Sequence, residues 1–137
     1  MTPSQRAAAL VEFALAWPVA LLLVLASVEA AVWASEAYAA RAASLAGARA
    51  GSVAGAGAAV ASQVALRVLA SSLIGVTPEP WCPGDRSTAP LVWVCAIAKG
   101  QAIEVEVGGS APALVPLVPG GMPLQARIVI EKDQFQP

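Results

Sequence analysis

From Ala7 to Val28 the chain runs 22 residues with a single ionisable group, Glu12. A bilayer's hydrocarbon core takes roughly 20 residues of helix, so this run is long enough to cross one. A carboxylate inside such a run is costly, and intramembrane ionisable residues usually have a partner or a function. Glu12, flanked by Leu10, Val11, Phe13 and Leu15, is therefore the residue any account must explain.

The flanks orient the run. Arg6 and the terminal amine precede it, while Glu29, Glu36 and Arg41 follow, and the positive-inside bias puts the N-terminus in the cytoplasm and the bulk of the chain outside. Trp17 and Trp33 bracket it as interfacial anchors or simple apolar contacts. The two cysteines, Cys82 and Cys95, fall in the exported part and flank twelve residues, PGDRSTAPLVWV. Disulfides persist outside the cytoplasm, so a bond between them is expected; two buried free thiols are the alternative. A loop near that size contributes about 3 kcal/mol on the chain-entropy argument. That matters for a segment of about 60 residues, whose core is marginal unaided.

After the apolar run the chain stays alanine-rich and free of proline as far as Ile74, which reads as the same helix continuing. Unbroken from Ser4 to Ile74 it would be about 105 Å long. Pro18 and the cluster Gly47, Gly51, Gly55 and Gly57 are the places to bend it, and a kink or break is expected near the glycines. Gly47, Gly51 and Gly55 recur every four residues and suggest close helix packing, although an alanine-rich sequence also produces such spacings by chance. Val60, Val64 and Val68 with Leu66, Leu69 and Leu73 form an apolar stripe that should pack on the C-terminal segment.

Gly75, Pro78 and Pro80 end the helical pattern. Leu91–Ala98 reads as a buried strand and Lys99–Gly100–Gln101 as a hairpin loop. Ala102–Val107 reads as a half-exposed strand with Ile103, Val105 and Val107 inward, and Leu124–Glu131 as a third strand beyond a Gly/Pro-rich connection. The expected fold is α+β: a long N-terminal transmembrane-to-extracytoplasmic helix with a small three-stranded antiparallel sheet on its C-terminal part. The segments are a leader over 1–7, a membrane helix over 8–33, an outer Ala/Gly-rich helix over 34–74 and a disulfide-stapled β-rich domain over 75–137. Arg127 is expected to pair across strands with Glu104 or Glu106, both on a solvated face, and Trp81 and Trp93 to pack near the disulfide.

Enzyme chemistry finds little here. With no histidine the chain has no triad and no His/Cys metal set, and the paired cysteines leave no obvious nucleophile. No cofactor is expected. Gly55–Ala56–Gly57 lacks the third glycine of a dinucleotide loop and does not follow a strand. A net charge of -1 provides no basic field for nucleic acid.

Val11–Glu12–Phe13–Ala14–Leu15 ahead of Pro18 and Leu21–Leu22–Leu23, then AARAASLAGARAG and a closing ARIVIEKDQF, resemble the TadE-like family, minor pseudopilins of tight-adherence pilus systems. The resemblance spans nearly the whole chain, and its order and spacing are more specific than any one motif. It implies a pilin-like fold and a non-enzymatic assembly role in the bacterial inner membrane, single-pass with the C-terminus extracytoplasmic. It also implies membrane lipid, other pilins or pseudopilins, an assembly platform and a prepilin peptidase as partners. Cleavage between Ala7 and Ala8 would leave Glu12 fifth in the mature chain; family members commonly have glycine where this chain has Ala7. Glu12, with Phe13 beside it, then matches the family's glutamate, which is expected to meet the freed amine of a neighbouring subunit. An interfacial carboxylate favoured by the helix dipole is the alternative. Two other readings stand beside this one: a signal peptide cut before Ala31, and a single-span anchored protein whose outer domain binds something unrelated.

Overall fold

The computed structural model describes residues 3–115 and 119–132, with side chains described from Leu10 onward. Asp133–Phe135, the end of the stretch that resembles the family's close, lie outside the described residues, as do Met1 and Thr2 of the leader. The chain forms two compact units, Met1–Val32 and Trp33–Pro137.

The first unit is helical. Helix α1 covers Pro3–Ser52, starting on a proline, whose missing N–H costs nothing in a first turn. Pro18 lies inside it, and the helix continues through that position. Leucine, alanine and valine dominate this part, with no apolar stripe opposed by a polar one: every residue from Leu10 to Val24 is exposed. Ser27 folds its hydroxyl back onto the Val24 carbonyl at 2.7 Å, which satisfies it within the helix.

The second unit contains the rest of α1, helix α2 (Ala58–Ala70) and strands β1 (Glu79–Pro80), β2 (Val92–Lys99), β3 (Ala102–Ala111) and β4 (Met122–Glu131). The long helix does break at the glycines. α1 stops at Ser52, Gly55 takes φ +81°, which a Cβ would strain, and Gly57 is extended ahead of α2. The two helices then approach closely. A Cβ on Gly47 would lie 2.8 Å from the Ala65 Cβ, and one on Gly51 2.7 Å from the Ala61 Cβ, so these two glycines make room for α2. Gly55 does not share that role, having open space around it.

The stripe expected on α2 is rotated. Ala61, Ala65 and Leu69 are its buried residues, Leu66, Val68 and Leu73 pack at the margin, and Val60 is 41% exposed. Backbone proximity decides this: the small alanines fit against Gly47 and Gly51, where valine would not.

The sheet has four strands in the order β1-β2-β3-β4, not the expected three, and it is mixed because β1 runs parallel to β2. At two residues β1 is too short to show a period in sequence. The other pairs are antiparallel, and Lys99↔Ala102 closes a two-residue turn with Gly100 at φ +58°. β3 extends four residues beyond the expected strand, paired to β4 as far as Ala111↔Met122, and Gly108 leaves room for the Trp93 ring, where a Cβ would come within 2.3 Å. Val94, Val105, Val107, Leu124 and Ala126 fill one face of the sheet and join the helices' alanines in a single core.

Candidate functional site

In the first unit the candidate residues lie on bare helix. Ala7 and Ala8 fall within α1 by backbone. Glu12 is exposed among exposed apolar neighbours, and no cation pairs with it among the described residues. Phe13, 66% exposed, stacks on Trp17 one turn later, with ring centroids 6.1 Å apart. Eleven large apolar side chains between Leu10 and Val28 are exposed. Burying one such side chain is worth about 1.5–3 kcal/mol, so the whole set represents on the order of 20 kcal/mol. That exceeds the roughly 5–15 kcal/mol by which a whole domain is stable, and the helix is long and apolar enough to cross a membrane.

In the second unit the cysteines are bonded. Cys82 and Cys95 join with a Cα–Cα distance of 4.7 Å, tying the segment just after β1 to the middle of β2. Local hydrogen bonds prepare that geometry. The Trp81 N–H donates to the Val94 carbonyl at 3.1 Å, and the Cys82 N–H donates to Asp85 Oδ2 at 2.9 Å. Trp81 also donates its indole N–H to the Ser87 carbonyl and meets Trp93 edge-on at 5.3 Å, so both tryptophans flank the bond.

On the sheet face opposite the helices, Glu104 is the electrostatic centre. It is only 5% exposed, whereas alternation along β3 had suggested a solvated side chain. Lys99 donates to Oε2 at 2.8 Å and Arg127 to Oε1. These cations, Lys99 first, hold its carboxyl below the usual glutamate range against the opposing effect of burial. Both are half-exposed, so the cluster secures the turn and strand register more than it adds stability.

Three further features had no clear sequence signal. The Trp33 indole N–H donates to the Pro123 carbonyl at 3.0 Å, which gives this tryptophan a place in the second unit. Glu36 is buried at 3% exposure. A groove of about 630 Å³ lies between α1 and β4, bordered by Tyr38, Arg41, Leu45, Gln125, Arg127 and Ile128. Among the described residues no group of three His, Cys, Asp or Glu side chains comes together to hold a metal ion. The described residues thus present an exposed apolar helical segment with Glu12 as its one charge, and a disulfide-stapled sheet beside an open groove.

Compared with known proteins, the chain matches no protein-family model, no curated protein and no solved structure.

Proposed function

We propose that this protein is a TadE-like minor pseudopilin, a non-enzymatic component of a bacterial tight-adherence pilus or related secretion system that assembles through its N-terminal helix. The observation that carries the reading is the all-round exposure of the apolar helix between Leu10 and Val28 with Glu12 as its one charge. A helix of this kind is stable in lipid and stable again among the apolar helices of an assembly. The carboxylate adds register: opposite a neighbour's amine its burial cost is offset, and elsewhere along the partner it is not. Cleavage between Ala7 and Ala8 by a prepilin peptidase would create that amine at Ala8, next to the membrane. The disulfide fits a domain outside the cytoplasm.

The runner-up reading rests on the same helix, since a signal sequence has the same length and composition. N-terminal sequencing of the mature protein, recovered from membrane and soluble fractions alike, separates the two. The pseudopilin reading expects a start at Ala8; a start at Ala31 would mean the apolar helix had been discarded and the assembly role with it.

A further inference from the structure

The sheet has two unequal edges. On one side β1 is two residues long and ends in Pro80, which has no N–H to offer. On the other, β4 runs ten residues with no strand beyond it. The direction of its backbone groups can be read from two contacts. The Lys132 N–H, just past β4, donates to the Gln101 carbonyl at 2.7 Å, so even-numbered residues point toward β3. Odd-numbered residues therefore point away, because the groups of an antiparallel strand alternate. Pro123 agrees: it lacks an N–H, and its carbonyl is taken by the Trp33 indole. Gln125, Arg127 and Val129 thus turn their N–H and C=O groups outward, and none of these backbone groups has a partner among the described residues.

Natural edges are blunted by brevity, proline or charge, and an open edge is a template for another strand. Here Pro123 blunts only the start of β4. Alongside the open part lies the groove, with Tyr38 76% exposed and Arg41 exposed without an ion pair among the described residues. Only an extended backbone matches outward N–H and C=O groups that repeat every second residue, about 6.6 Å apart. The Arg41 guanidinium, with no ion pair among the described residues, selects a negatively charged partner, whereas Arg127 is already paired with Glu104.

We propose that the β4 edge and its groove take an extended acidic segment of a partner protein as an added strand. Main-chain hydrogen bonds to Gln125, Arg127 and Val129 provide the affinity, and a carboxylate side chain reaching Arg41 provides the selectivity. The site uses α1 only around Tyr38 and Arg41, in the second unit, and not the segment around Glu12, so it stands or falls independently of the assembly role above.

The experiment measures fluorescence anisotropy of a labelled eight-residue peptide of alternating valine and glutamate, titrated with the full-length protein in detergent. Saturable binding is expected. N-methylation of alternate peptide nitrogens should weaken it roughly tenfold by removing donors to the edge. Replacing glutamate by lysine in the peptide should weaken it about threefold or more. Val129→Pro, which deletes an outward N–H without touching the β3 ladder, and Arg41→Glu, which leaves the strand untouched, should each weaken it similarly. Equal binding of the N-methylated peptide would overturn the proposal, as would no binding up to about 1 mM. So would a dimer of the wild-type protein that Val129→Pro dissolves, since the occupant would then be a second copy.

Discussion

Arg127 sits directly opposite Glu106 in the β3–β4 register, yet its guanidinium goes to Glu104, one pleat along the strand. The choice follows from burial. Glu104 is nearly closed off from water and already accepts a hydrogen bond from Lys99, so a second cation relieves a carboxylate that solvent cannot reach. Glu106 is more open and needs no such relief.

This arrangement makes the second unit acid-sensitive. The Glu104 carboxyl is held below its ordinary value of 4.5, so folding binds fewer protons there than the unfolded chain does. The stabilisation is fully present above that ordinary value and is lost as pH falls through the lower folded value. Thermal unfolding of the full chain in detergent, compared with Glu104→Gln, should show the wild-type advantage at neutral pH shrinking below about pH 4.5. Because the partners are half-exposed, the advantage at neutral pH should be about 1 kcal/mol or less. A gap between the two proteins that does not change with pH would rule out the charge as its source.

Gly47 and Gly51 should tolerate no side chain. Alanine normally gains about 1 kcal/mol over glycine within a helix. Here its Cβ would enter backbone and side-chain atoms of α2, and overpacking of that kind costs typically 1–3 kcal/mol. Gly47→Ala and Gly51→Ala should therefore lower the unfolding midpoint. Gly55→Ala meets open space and should cost only the strain of its left-handed backbone, about 1–2 kcal/mol. Circular dichroism melts of the three variants check the contrast, and a stabilised Gly47→Ala would contradict the close helix approach.

The Cys82–Cys95 bond should contribute about 3 kcal/mol. Replacing both cysteines with serine is expected to lower stability by that order. It should also alter tryptophan fluorescence, since Trp81 and Trp93 flank the bond. An unchanged emission spectrum and midpoint would show that the staple does not hold this end of the sheet.

How far the fold was legible depends on which property left a pattern in the chain. Ile103, Val105 and Val107 alternate with polar residues, and the face they define is the buried one. The helix break at the glycines was legible because positive φ and low helix propensity coincide there. β1 was not, since two residues have no period and Pro80 argues against a strand. The stripe of α2 was read in part: Leu69 is buried and Leu66, Val68 and Leu73 pack on the core, but Ala61 and Ala65 lie at its centre because the close approach of two helices selects for small size. Glu104 followed the same logic: alternation assigns a face, but what covers that face comes from Lys99 and Arg127. At the candidate site, the apolar run and Glu12 stood out plainly. The open edge of β4 did not, because which backbone groups stay unpaired depends on strand order.

In the proposed function, Glu12 serves assembly and not insertion. The most direct test compares wild-type and Glu12→Ala protein expressed with the pilus components of the same cell, measuring both membrane association and co-isolation with the assembled machinery. Equal membrane association and a strong loss of co-isolation are expected for the variant. Equal co-isolation would contradict the assembly role and leave Glu12 as an interfacial charge.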